Sequence, residues 1–152
     1  MTFATREILV LEAGGRLFGL DIGEVECVVP AVRPIPLPHA VAGFEGILNL
    51  RGTAVAVLDL GAWFGAAQRE IQLDDLLIVL RAGPQPVALH VERVRGVVAI
   101  AQSSVQPAQN FVPSAQHFAG VVMVEGDIVF LPDVAGFLSA AEKAAQQKAA
   151  AA

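Results

Sequence analysis

Gly46-Ile47-Leu48-Asn49-Leu50-Arg51-Gly52, continuing through Thr53-Ala54-Val55-Ala56-Val57-Leu58 to Asp59-Leu60, sets one charged side chain in a turn with apolar residues on both sides. Gly52 takes positive φ without steric cost and so permits a sharp reversal, while Asn49 can hydrogen-bond its own backbone there. The run from Ala54 to Leu58 reads as a buried strand that ends at Asp59. The pattern predicts a rigid turn presenting the Arg51 guanidinium amid apolar surface. Such a device suits recognition better than chemistry, because the planar fork makes several directed hydrogen bonds while its stem packs.

Outward from this turn the chain reads as β structure. Ile8 to Glu12 and Arg16 to Ile22 are strand-like runs joined by Gly14-Gly15, a strong hairpin signal. The same unit recurs at Leu76 to Arg81 and Val87 to Val91 around Gly83-Pro84, and at Val121 to Val124 and Ile128 to Leu131 around Gly126-Asp127. Val25 to Val29, Val55 to Leu58 and Val97 to Ile100 add strands at the spacing of small barrels or sandwiches. Helical signal is sparse: Gly61 to Ala67 predicts a turn or two after Asp59, and Asp133 is placed to cap a helix starting at Val134. The alanine-rich tail, 139–152, is expected to be helical or frayed. Proline-bearing stretches at Pro30 to Pro38 and Pro107 to Pro113 interrupt the strands, and the second places Phe111 in a polar loop, either tucked inward or in contact with a partner.

The 152 residues suit one domain that buries roughly 70% of its unfolded surface. At 55% hydrophobic and 16% charged the chain is apolar for its size, so part of its Val, Leu and Ile content is expected in partner-binding patches. Ten basic against fifteen acidic residues, a formal charge of −5, speak against a phosphate-tracking face and hence against nucleic acid. The longest apolar runs, such as Leu76 to Leu80 and Val97 to Ala101, fall far short of the ~20 residues of a membrane-spanning helix. The first residues do not resemble a secretory signal, so cytoplasm is the expected compartment and direct membrane insertion is not expected. Cys27 is the one cysteine, which excludes an internal disulfide; it is expected to serve as a buried small hydrophobe rather than a reactive thiol.

No catalytic constellation is evident. Ser103, Ser104, Ser114 and Ser139 lie outside any G-x-S-x-G elbow, and no phosphate-cradling or dinucleotide glycine motif occurs. His39, His90 and His117 fall in different elements without metal-ligand spacing, so a zinc site would have to be assembled from distant parts, and no cofactor is expected. His90 reads as a barrel residue. Glu24 with Glu26, and Asp74 with Asp75, read as solvated strand faces and turns; Asp59 and Asp133 read as helix caps.

The central stretch resembles the signature of the CheW-like chemotaxis coupling proteins, approximately G-x-x-N-L-R-G-x-x-x-P-x-x-D-L. Phe18 to Val25, F-G-L-D-I-G-E-V, resembles the family's aromatic-G-I-x-I-x-x-V, and Leu37 to Ala40 its proline-bearing approach. Val87 to Val97 resembles the second-lobe hairpin, and the stretch from Phe118 to Leu138 the closing hairpin and helix. The likeness covers about Glu7 to Leu138. It implies a mainly β fold of two small five-stranded SH3-like barrel lobes with a C-terminal helix, interleaved in one domain over 7–138. It implies no catalysis. It implies an adaptor that docks on the cytoplasmic tip of membrane chemoreceptors and on the regulatory domain of a CheA-type histidine kinase, at receptor arrays. By the same resemblance Arg51, Asn49 and Gly52 form the functional turn, Val25, Gly46, Leu76 and Leu77 match receptor-docking positions, and Phe111 matches a kinase-facing loop aromatic. Cys27 stands where the family often has glutamate, Ala56 where it has proline, and Pro132 where it has an aliphatic residue. These departures leave open a paralogue of a non-flagellar pathway, such as surface motility or second-messenger control. A small-ligand-binding β-barrel is the rival from another class.

Overall fold

The computed structural model describes residues 4–36, 43–67, 69–81, 86–111, 118–136 and 139. The strands are β1 (Thr5–Ala13), β2 (Arg16–Asp21), β3 (Val25–Pro30), β4 (Phe44–Leu50), β5 (Thr53–Asp59), β6 (Leu76–Leu80), β7 (Val87–Val91), β8 (Arg93–Ala101), β9 (Gln106–Pro107), β10 (Phe118–Val124) and β11 (Asp127–Pro132), with a short helix α1 (Leu60–Trp63) after β5. They form two sheets, ordered β8-β1-β2-β11-β10-β9 and β3-β6-β7-β5-β4. The chain is thus mainly β, as expected, and the first sheet carries a sixth, two-residue strand that its proline-bearing sequence did not announce.

The two sheets are built alike. Replacing β8, β1, β2, β11 and β10 by β3, β6, β7, β5 and β4 reproduces the order, including one parallel pair in each, β2 with β11 and β5 with β7. The first sheet takes its strands from both ends of the chain and the second from the middle, so the lobes interleave. The likeness reaches single residues: Phe44, Gly46, Gly52, Val55 and Asp59 recur as Phe118, Gly120, Gly126, Val129 and Asp133, each 74 positions on (118 − 44). Both hairpins shift register just after the phenylalanine, and both turn through two positive-φ residues, Arg51 at 52° with Gly52 at 87°, and Glu125 at 49° with Gly126 at 86°. Positive φ at both central positions is what a two-residue hairpin following the strands' own twist requires. Both end on an aspartate cap: Asp59 Oδ1 accepts from the Ala62 N–H at 3.2 Å, and Asp133 Oδ1 from the Gly136 N–H at 3.2 Å.

Side-chain alternation along the strands divides the core into three layers. Ile8 and Val10 point into the first lobe with Ile100, Val122, Val129 and Leu131. Val55, Val57, Leu77, Val79 and Ala88 fill the second, with Cys27, Val29, Leu48 and Leu50 packed on them from its two outer strands. Leu9, Leu11, Phe18 and Leu20 of one sheet meet Leu58, Ile78, Leu80, Leu89 and Val91 of the other in a layer between the lobes. Strands such as β1, β6 and β7 are therefore buried on both faces, which is why their sequences are nearly continuous apolar runs. Beyond β3 the chain crosses to β4, where Ile35 and Ile47 exchange backbone hydrogen bonds of 2.8 and 2.9 Å. This bridge draws the outer strands of the second lobe together, as β9 does on β10 in the first.

Several local expectations change. The helix expected over Gly61 to Ala67 is the single turn of α1, which starts one residue earlier. Asp75, read as solvated, is 3% exposed. Residues 134–136 are helical behind the Asp133 cap. The Gly83-Pro84 turn, His39, His117, Leu37 to Ala40 and nearly all of the tail lie outside the described residues.

Candidate functional site

The tip of the β4–β5 hairpin is locked by its own sequence. Leu50 faces Thr53 across a two-residue turn, and Asn49 Oδ1 accepts a 2.8 Å hydrogen bond from the Gly52 N–H. Arg51 is exposed and holds a left-handed conformation that a side chain with a Cβ adopts at a cost. Its fixed backbone aims the guanidinium outward from a rigid stem.

Arg51 stands on the rim of a groove of about 350 Å³ at the open end of the second lobe. Cys27, Val29, Leu50, Val55 and Val79 form apolar walls continuous with the lobe's interior layer, while Glu26, Arg51, Thr53 and Arg81 supply the polar rim. Cys27, expected to be a buried small hydrophobe, is half-buried and packs on the lobe's apolar layer. The Arg81 N–H donates to the Glu24 carbonyl at 3.0 Å, which ties the end of β6 to the start of β3 at this mouth. Val25, paired with Leu80, sits at the same end and packs half-buried on the inter-lobe layer.

The remaining candidate residues gather elsewhere. Leu76 pairs with Pro30 at the far end of the β3–β6 ladder and is half-buried; Leu77, beside it, is fully buried in the second lobe. Gly46 is buried at the bulge of β4, where an added Cβ would lie 2.1 Å from the Ile35 carbonyl oxygen at a φ of 152°. Its hydrogen is what lets the Ile35–Ile47 bridge form. Phe111 follows a 3-10 turn, Ala108–Asn110, and is 54% exposed, so the inward alternative does not hold. The sequence reading passed over other exposed apolar residues: Val28 on β3 with Val32 and Ile35 beyond it, and Met123 with Ile128, cross-strand partners on β10 and β11. The alternation of Glu26, Val28 and Pro30 against Cys27 and Val29 was the available signal, since it turns the first set outward on an outer strand.

At the opposite end of the second lobe lies a buried polar cluster. His90 is on β7, in register with Asp59 of β5 and Leu77 of β6. Its Nδ1 lies 2.7 Å from Glu45 Oε1 and its Nε2 2.6 Å from Asp75 Oδ2. Asp75 also accepts from the Gln72 N–H at 2.9 Å and from Arg69 at 2.8 Å, and Arg69 reaches Glu92 at 3.3 Å. Burial by itself would lower the His90 pKa, but its hydrogen bonds to Glu45 and Asp75 and their negative charges outweigh that and hold it above the ordinary value. Burial would likewise raise Asp75, yet the Gln72 N–H, His90 and Arg69 hold it below the usual carboxylate range. His90 is thus buried in a strand, and it is also the centre of a network drawn from three segments, β4, residues 69–75 and residues 90–92.

Comparison with known proteins accords with this architecture. The CheW-like domain model matches residues 7–142. The chain is 26% identical over 147 residues to the chemotaxis protein CheW of Rhizobium meliloti (strain 1021), covering 95% of each, and 25% identical over 128 residues to that of Thermotoga maritima, covering 84% of each. The crystal structure of scaffolding protein TtCheW from Thermoanaerobacter tengcongensis superposes with a TM-score of 0.77 at 27% identity, over 86% of this chain and 90% of that one. With its twinned lobes, its Asn-Leu-Arg-Gly tip and a family match spanning nearly the whole sequence, the chain belongs to the CheW-like domain family.

Proposed function

We propose that this protein is a non-enzymatic adaptor that couples membrane chemoreceptors to the regulatory domain of a CheA-type sensor histidine kinase. The observation that carries the proposal is the Arg51 tip: an exposed guanidinium on a strained, hydrogen-bonded turn at the rim of an apolar groove. A helical receptor tip offers apolar ridges and carboxylates, the chemistry such a rim accepts. Phe111, exposed on a different loop of the first lobe, is assigned to a second contact with the kinase. Holding two partners on separate patches raises the effective concentration of each for the other, so moderate affinities suffice. Receptor state reaches the kinase if the two receptor states differ in how well they hold the adaptor.

The rival carrier reading requires an internal chamber. Among the described residues the second lobe is instead filled by Val55, Val57, Leu77, Val79 and Ala88, with grooves at its two ends. Co-sedimentation with receptor-bearing membranes, with and without the cognate kinase, tests the adaptor reading. Wild-type protein is expected in the pellet and Arg51→Glu in the supernatant, with unchanged thermal unfolding. Equal sedimentation of the two would reject Arg51 as the receptor anchor.

A further inference from the structure

The cluster at the closed end of the second lobe holds more negative charge than its hydrogen bonds account for. Glu45, Asp75 and His90 side chains are 8%, 4% and 2% exposed, and Asp59 is 6% exposed. Glu45 uses Oε1 on His90, and Asp59 uses Oδ1 to cap α1. Their other oxygens, Glu45 Oε2 and Asp59 Oδ2, are buried and have no hydrogen-bond partner among the described residues. Leaving a buried charged oxygen without a partner is costly, so two of them side by side call for a ligand that supplies positive charge. One donor atom from each of Glu45, Asp59 and His90 lies within 4.8 Å of the other two.

We propose that Glu45, Asp59 and His90 form a binding site for one first-row divalent transition-metal ion, with Asp75 orienting the imidazole from behind. In this site His90 Nδ1 is the nitrogen ligand and Nε2–H donates to Asp75, the carboxylate–histidine–metal arrangement that fixes tautomer and ring angle. The ion takes the place of the proton between Nδ1 and Glu45. The imidazole selects zinc-like ions over magnesium or calcium, which prefer oxygen alone. Bonds of about 2.0–2.2 Å bring ligand atoms to roughly 3.4 Å apart in a tetrahedral set, so the 2.7 Å contact of Nδ1 with Glu45 Oε1 opens, and wider spacings within the 4.8 Å cluster close, as the Glu45 carboxylate turns. The charges agree as well. With the imidazole neutral, Glu45, Asp59 and Asp75 outweigh Arg69, which Glu92 also shares, and a divalent ion offsets that excess of negative charge. Glu45 also lines a groove of about 580 Å³ with Arg33, Pro34, Arg69 and Ile71, which gives the ion a route from solvent.

The site stands apart from the Arg51 tip, at the other end of the lobe, beside Gly46 and Leu77. The test is titration of chelator-stripped full-length protein with Co²⁺, read by visible absorbance, and with Zn²⁺, read by calorimetry and thermal unfolding. Wild type is expected to bind one equivalent of either ion and to melt at a temperature that rises with Zn²⁺ concentration. Glu45→Gln and Asp59→Asn each remove a ligand charge, and asparagine still caps α1. Both are expected to lose the saturable site, and Asp75→Asn to bind 10–100-fold more weakly. No binding by wild type would overturn the proposal. So would binding that survives in both ligand variants, or a cobalt–thiolate band placing the ion on Cys27.

Discussion

Arg51 is held at a φ of 52°, where a residue with a Cβ sits about 1–2 kcal/mol above its preferred basins. Asparagine tolerates this turn position far better, so the choice of arginine sacrifices stability for the guanidinium. Arg51→Asn is therefore expected to raise the melting temperature, by up to about 1 kcal/mol of stability in denaturant titration, while weakening receptor binding. A fall in stability would show that Arg51 has a structural role. The place of this residue on an exposed turn was legible from Asn-Leu-Arg-Gly alone, because the turn chemistry and the lone charge are both local. Its own positive φ was not, since the sequence attributed the reversal to Gly52. The role of Asp75 was also hidden: two adjacent aspartates look solvated until Gln72, Arg69 and His90 are folded onto the second.

Among the elements, the Ile35–Ile47 bridge fastens the crossover after β3 to β4, and the bridge depends on Gly46. Gly46→Ala places a Cβ against a backbone oxygen, which cannot move aside as a side chain would. A loss of about 2–4 kcal/mol in chemical denaturation is expected, and any loss of partner binding at this position follows from it. Normal stability with lost binding would instead make Gly46 a docking position in its own right. Asp133→Ala, which removes the Gly136 cap, is expected to cost about 1 kcal/mol by the same measurement, with β10 and β11 intact. Hairpins with glycine turns and two-faced apolar strands declared themselves in the sequence because their signals are short-range. The 74-residue echo of Phe44-x-Gly46 in Phe118-x-Gly120 was readable too, but only by aligning the chain with itself. Strand β9 was not, because two residues, the second of them a proline, carry no alternation.

For the molecule as a whole, the layer between the lobes decides how it unfolds. Leu9, Leu11 and Phe18 of the first sheet and Ile78, Leu80 and Leu89 of the second are shared, so neither lobe keeps this layer buried without the other. Leu11→Ala is expected to cost about 3 kcal/mol and to destabilise both lobes together, with one calorimetric transition; two separated transitions would show independent lobes. The same interleaving set the limit on what the sequence could reveal. Nothing local joins Glu45, Asp59, Asp75 and His90, which come together only when β4, β5, β6 and β7 close the second lobe. The twinned hairpins also supply a control for function, because Glu125 occupies in the first lobe the turn position that Arg51 occupies in the second. Calorimetric titration of a receptor cytoplasmic fragment into wild type, Arg51→Glu and Glu125→Arg tests the central claim most directly. Arg51→Glu is expected to lose ~2 kcal/mol or more, roughly 30-fold in affinity, while Glu125→Arg binds as wild type does. Equal affinity for wild type and Arg51→Glu, or an equal loss in both variants, would contradict it.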